Sequence, residues 1–471
     1  MGCVESQSGP VNVARGILST WEGFKQTGGD TSRSQIDDLP PELFQPILES
    51  AVPKGEKTYY LHLLPKRQVS KRWLAFIDSC PSMWSYVYLG LNARLLQMIL
   101  QHSGEHLLDV EFDDEAVSEE TLDAFFEHIT QHRRWTSLSF KGRSSLDLSQ
   151  FLTKQVPNLR KLTVDVTPMQ NTYLMWPAAI AAPLLAEVKL HHCGLKWDSL
   201  RGLRRLEIYG GGPCAEDLAE ILTASPAIEN LTLINNWKMH NDAPNTSQIH
   251  LSNLRTLVIK RSGTSASLLW LFRSMTAPRL EDLTVQPQPE GPFSTLSELL
   301  NLFPSIGVHA GSCAAKTRPS ELKIRAMTTG LTLGLGRSSI TATTVKKDTP
   351  SNEWVELAVA FVQSLPSEAR DGLTTLRIQA LKSERGLAML TRLLPILPWV
   401  RIVGVEYANK EEDHGSLTAV LKERLEMEDT GRRYGHVYLT GGRLMRQDKE
   451  SLENLVVGLY LENVNVVDEA I

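Results

Sequence analysis

Residues 185–195 read Leu185-Ala186-Glu187-Val188-Lys189-Leu190-His191-His192-Cys193-Gly194-Leu195. Val188 and Leu190 alternate with polar neighbours, the period-2 pattern of a short strand that turns its apolar side chains to one face. The same L-x-x-L-x-L spacing recurs upstream at Leu107/Val110/Phe112, Trp135/Leu138/Phe140 and Leu159/Leu162/Val164. It continues at Leu203/Leu206/Ile208, Ile228/Leu231/Leu233, Leu254/Leu257/Ile259 and Leu280/Leu283/Val285. Further copies are Pro319/Leu322/Ile324, Leu373/Leu376/Ile378 and Val400/Val403/Val405. Between Leu206, Leu231, Leu257 and Leu283 the steps are 25, 26 and 26 residues.

A short strand cannot bury an apolar face alone, so such units must stack on their neighbours. The spacing resembles that of leucine-rich repeats, whose period is about 20–29 residues. The resemblance implies an α/β solenoid and gives Cys193 and Asn236 a structural place after their strands. Apolar stripes at Leu218/Ile221/Leu222 and Leu268/Leu269/Leu271/Phe272 read as returning helices. Proline precedes several strands, as in Val156-Pro157-Asn158-Leu159 and Ala277-Pro278-Arg279-Leu280, where it ends the helix. The array loosens beyond Leu283, with insertions expected near 286–318 and 328–352. The second is rich in Gly, Ser and Thr and reads as a loop. Residues 414–471 read as a capping segment.

Upstream lies a different pattern. Ile36-Asp37-Asp38-Leu39-Pro40-Pro41-Glu42-Leu43 is a helix start: proline fits the first turn, Asp37 or Asp38 can cap, and Glu42 suits the positive end of the helix. Leu43, Ile47 and Leu48 give that helix one apolar stripe. A second helix is expected from Leu63 to Asp78, with Leu64, Val69, Trp73 and Ile77 near one face. Pro81 ends it and Trp84 opens a short apolar segment.

Taken together, L-P-P-E-L at 39–43, V-S-K-R-W at 69–73 and C-P-S-M-W at 80–84 resemble an F-box of the fungal type, over residues 36–89. The family is a small helical module that docks on the Skp-type adaptor of a cullin–RING ubiquitin ligase. The resemblance implies adaptor contacts at Leu39, Pro40, Leu43, Ile47, Leu48, Val69 and Trp73. The same residues also have to build the module's own core. The chain departs from the pattern at Pro46, inside the first helix, and at Pro53–Lys57, which lengthens the first connection.

The 471 residues suffice for a small module plus a long array. A content of 42% hydrophobic and 22% charged residues is that of a folded soluble protein. The net charge of −5 gives no electrostatic footprint for nucleic acid. Five scattered cysteines (Cys3, Cys80, Cys193, Cys214, Cys313) suit a reducing compartment, the cytoplasm or nucleus, and argue against both a disulfide framework and a zinc cage. No stretch is long and apolar enough to cross a membrane. Met1-Gly2-Cys3-Val4-Glu5-Ser6 matches the myristoylation pattern at Gly2, with Cys3 as a second acyl site; a disordered N-terminus over residues 1–35 explains the same residues.

A search for chemistry fails. Gly330-Leu-Thr-Leu-Gly334-Leu-Gly336 has no phosphate-loop lysine. Neighbouring His191 and His192 point to opposite faces of a strand, so no metal is expected there. Glu411-Glu412-Asp413-His414 reads as a solvated turn. No nucleophile with a base can be nominated, and no catalytic residue, metal or cofactor is expected. The exposed x positions of the strands (Thr163, Lys189, Glu207, Thr232, Val258, Thr284) mix charges and name no ligand.

The resulting expectation is an α/β chain. It has an N-terminal segment (1–35), an F-box-like helical module (36–89), an irregular leucine-rich-repeat solenoid (90–413) and a cap (414–471). The resemblance implies a non-catalytic ligase receptor with the Skp-type adaptor and an unidentified protein substrate as partners. The alternative is a scaffold with the F-box fold outside any ligase, tethered to a membrane if Gly2 and Cys3 are acylated.

Overall fold

Proline at the first helical position opens the first helix, Pro41–Ala51, and no side chain caps it; Glu42 lies in its first turn. The helix runs through Pro46 without a break. The computed structural model describes residues 40–52, 57–113, 125, 132–143, 155–167, 174–175, 180–235, 248–261, 265–286, 306, 309, 321–326, 330–335, 338–343, 351–380, 383–407, 414, 417, 419–423 and 434–467. The chain divides into two units, Met1–Met83 and Trp84–Ile471.

In the first unit the single helix expected over 63–78 is two helices, Tyr59–Lys66 and Lys71–Asp78. Ser70 makes the break. Its backbone is extended (φ −156°, ψ 164°), and its Oγ accepts a hydrogen bond from Trp73 N at 3.2 Å, so it caps the later helix. Arg67 clamps the two together through Asp78, with Nε to Oδ1 at 2.5 Å and Nη2 to Oδ2 at 2.7 Å. Leu48, Val52, Tyr59, Tyr60, Leu63, Ile77 and Met83 form the core. Tyr59 and Tyr60 meet edge to face, and the Tyr59 hydroxyl donates to Met83 O at 2.9 Å. Burial raises the Tyr59 pKa well above the usual tyrosine value, with Glu49 adding to it.

The second unit begins inside the stretch read as the end of the F-box pattern. Tyr86–Tyr88 is the first strand of a 16-stranded sheet and pairs in parallel with Leu108–Asp113. The motif copies supply the following strands, and the register carries their apolar residues into one row. Leu206, Leu231, Leu257 and Leu283 are neighbours across four strands, as are Ile208, Leu233, Ile259 and Val285. All eight are fully buried. Full burial of one such side chain contributes about 1.5–3 kcal/mol.

The prolines before the strands have a local role. In Val156-Pro157-Asn158-Leu159 the N–H of Leu159 donates to Val156 O at 3.1 Å. The same closure joins Leu185 to Ala182, Ile228 to Ser225, Leu280 to Ala277 and Val400 to Leu397, at 3.1–3.2 Å. Each is a four-residue turn with proline second, where its fixed φ is already that of the turn. The third position points outward, which leaves Leu184 and Trp399 exposed.

The expected helical module followed by a leucine-rich-repeat solenoid is corrected by this arrangement. Helices are not gathered at the N-terminus: among the described residues three α-helices lie before residue 84 and seven after it. The strands form one large, mostly parallel sheet, not a stack of like units. The step from Val188 to Leu206 is only 18 residues and returns through the 3-10 turn Trp197–Ser199, whereas the next return is the α-helix Ala215–Ala224. Further on the strand order reverses. Asp282–Gln286 pairs with Ser338–Thr343, then come Gly330–Leu335 and Glu321–Ala326, and the last pairs with Thr375–Ala380. Gly330–Leu335 runs antiparallel to both neighbours.

The segment read as a loop over 328–352 therefore supplies two strands and the start of the helix Ser351–Ser364. Leu331, Leu333 and Leu335 alternate into the core, and that alternation outweighs the glycines between them. Of the other expected insertion, Gln286, which ends the strand Asp282–Gln286, Ile306 and His309 are described. The segment read as a cap extends the sheet: Tyr434–Thr440 and Val456–Glu462 are its last two strands.

Candidate functional site

Two surfaces present groups that their own unit does not use. The first lies on the helical unit. Leu43 and Ile47, four residues apart on the first helix, share a face and are 55% and 49% exposed. Val69, in the turn before Ser70, is 63% exposed, and Leu61 and Leu74 are also exposed. These five are among twelve large apolar side chains left exposed in the described residues, and they come from the smaller unit. Of the residues the F-box resemblance named, Pro40, Leu43, Ile47 and Val69 are exposed and Trp73 is half-buried. Leu48 is 2% exposed and belongs to the core, so it has no surface to offer. Leu39, Gly2, Cys3, Asp37 and Asp38 lie outside the described residues. Leu61 and Leu74 were missed; the helix break at Ser70, which re-phases the stripe, was the signal for Leu74.

The second surface is the polar face of the sheet. At its centre Glu207 is a satisfied carboxylate: Arg205 lies at 2.5 Å, Lys189 at 3.8 Å, and the Tyr209 hydroxyl donates to it at 3.2 Å. His191 stacks on Tyr209 at 4.1 Å between ring centres. Glu207 is buried by these neighbours, and Thr163, Lys189, Thr232, Val258 and Thr284 are half-buried. This network is filled from within. Cys193 is buried with its Sγ 3.9 Å from Val164 O, and burial raises its pKa far above the usual thiol value. Asn236 and Glu411–Asp413 lie outside the described residues. His414 is buried, stacks on Tyr407, and shares a 2.8 Å hydrogen bond with Gly441 O.

Beyond the strand reversal the same face opens into a groove of about 500 Å3. Register places Gly334, Lys323, Arg377, Gly404, Tyr438 and Tyr460 in one row across six strands. Beside it run Thr332, Arg325, Gln379, Glu406, Thr440 and Glu462. Glu321 Oε1 lies 2.6 Å from Arg377 Nε, an ion pair off the line of a hydrogen bond, and its Oε2 lies 3.2 Å from Lys323 Nζ. The Arg377 guanidinium sits 5.9 Å from the Tyr438 ring centre. Tyr438 in turn stacks on Tyr460 at 4.5 Å, nearly parallel. Gln379 Nε2 donates to Glu406 at 2.8 Å. A side chain on Gly404 would come within 3.1 Å of Arg377 Cγ, so glycine there keeps the groove open and lets arginine approach tyrosine.

Among the described residues no group of three His, Cys, Asp or Glu side chains is placed to hold a metal ion. No described helix is long and apolar enough to cross a membrane. Comparison with protein-family models gave no match, and comparison with curated proteins gave none.

Proposed function

We propose that the chain is a non-catalytic receptor subunit of a cullin–RING ubiquitin ligase, working in the cytoplasm or nucleus. The helical unit would hold the Skp-type adaptor and the sheet would hold a target protein. Such a receptor acts by proximity, raising the concentration of target beside the transferring partner, and breaks no bond itself. The observation that carries the reading is the exposure of Leu43, Ile47 and Val69, the residues that the F-box resemblance names as adaptor contacts. Large apolar side chains left on a small unit mark a surface that another protein covers.

A second reading is a scaffold that keeps the F-box-like helices and joins no ligase, tethered to a membrane if Gly2 and Cys3 carry acyl chains. Two observations favour it: Leu48, a named contact, is spent on the core, and Tyr86–Tyr88 belongs to the sheet.

The readings separate on capture of the Skp-type adaptor by the full-length chain. The ligase reading expects capture, and a loss of about tenfold or more when Leu43 or Trp73 becomes alanine. Equal capture by a folded L43A chain would sink the contact assignment. No capture by the folded wild type would put the scaffold reading first.

A further inference from the structure

The groove beyond the strand reversal has a charge order of its own. Lys323 and Arg325 lie toward one end, Tyr438 lines the other with Tyr460 stacked on it just beyond the lining, and Arg377 stands between them. Arg377 is held in place before any ligand arrives, by Glu321 on one side and the Tyr438 ring on the other, yet its side chain stays 58% exposed. The contact to Glu321 uses Nε and leaves the terminal nitrogens for a ligand. Arg325 is exposed and has no ion pair among the described residues. Lys323 and Arg377 thus share one carboxylate, Glu321, and Arg325 stands beside them on the same face of the strand.

The floor spans five strands, or about 20 Å at the usual strand spacing. An extended peptide covers that distance with about six residues. A polyanion is the wrong match. Glu406 lies in the same groove and Glu462 beside it, and the whole chain carries −5, so a continuous run of phosphates would meet repulsion. A peptide with carboxylates at one end and a ring or apolar side chain at the other fits both ends.

We propose that this groove binds an extended acidic segment of a partner protein, its carboxylates on Lys323, Arg325 and Arg377 and an aromatic side chain against Tyr438 and Tyr460. The proposal deepens the receptor reading, on which it rests for its view of the sheet as the target-holding part. Its test needs no adaptor.

The full-length chain is titrated into fluorescein-labelled, end-capped peptides of about eight residues, read by fluorescence anisotropy. One carries three acidic residues followed by a phenylalanine; its partners replace the acids by glutamines or by lysines. Expected is binding of the acidic peptide at least about tenfold tighter than the glutamine one, weakening with salt. Arg325→Glu and Arg377→Gln should each remove most of that preference, and Arg325→Glu should improve binding of the lysine peptide. Both positions are exposed, and circular dichroism checks that the variants fold.

Equal binding of acidic and glutamine peptides overturns the proposal. So does unchanged preference in folded R325E, or tighter binding of a single-stranded DNA oligonucleotide than of the acidic peptide. Adaptor capture by the same variants keeps the two readings apart: R325E should capture adaptor like the wild type whatever happens to the peptide.

Discussion

The two units of this chain put the same residue to opposite uses. In the sheet, leucine means burial: Leu206, Leu231, Leu257 and Leu283 show no surface at all. In the helical unit Leu43, Leu61 and Leu74 stand in solvent beside a core of Leu48, Leu63 and two tyrosines. The difference lies in how many neighbours an element has. An inner strand is fixed on both edges by in-register partners, so its period-2 pattern leaves each side chain one of two environments. A short helix packs along one stripe and leaves the rest of its circumference open. In a sheet strand apolar identity reports the fold. On a small helical unit it reports the fold and the docking surface together.

The sharpest way to break that comparison is to truncate one leucine in each setting. Leu231→Ala leaves a cavity in a row packed from both sides and should cost about 2–5 kcal/mol in urea unfolding. Leu43→Ala, on an exposed position, should cost less than about 0.5 kcal/mol. A similar loss in both variants would mean that Leu43 is structural, and the docking argument would lose its footing.

Next in size is the Arg67–Asp78 clamp. The sheet is tied by its ladder of backbone bonds, whereas the helical unit relies on this pair to join two short helices. Hydrogen bonding to Asp78 raises the Arg67 pKa further above its usual value, so the guanidinium stays charged throughout. Arg67→Met should lower stability by about 1–2 kcal/mol, because two charge-assisted bonds are lost at a partly buried site. Thermal melts of variant and wild type, at low and high salt, check it. A change below about 0.3 kcal/mol would show that core packing alone holds the helices.

The comparison also explains what was legible in the sequence. Every L-x-x-L-x-L copy from Leu159 to Val285 is a strand, because alternation and burial are one fact seen twice. The break at Ser70 is readable as a serine cap, and the apolar stripe that runs across it conceals it. The strands over 330–343 were hidden by glycine content, although Leu331, Leu333 and Leu335 carried the alternation. The groove was not legible. Lys323, Arg377 and Tyr438 meet only through the register of four strands, and the first of these belongs to the reversed segment whose place no local pattern states. On the helical unit, residue types pointed to docking, but separating Leu43 from Leu48 required knowing which side of the helix faces the core.

The smallest effect concerns pH and falls on the sheet unit. Burial holds the His191 imidazole below its usual value of 6.5, against a weaker opposite pull from Asp165 at 3.9 Å. Burial does the same to His309, and its hydrogen bond with Phe272 O at 2.8 Å offsets part of it. A depressed histidine pKa means that just below pH 6.5 the unfolded chain takes up protons that the folded chain refuses. Stability is therefore full above that value and falls as the pH drops below it. From about pH 7.5 to about pH 5.5 the two histidines should therefore lower the stability of the folded chain. A chain with His191→Gln and His309→Gln should lose correspondingly less over the same interval, read as the shift in urea midpoint. An identical shift in both chains would place the acid sensitivity elsewhere.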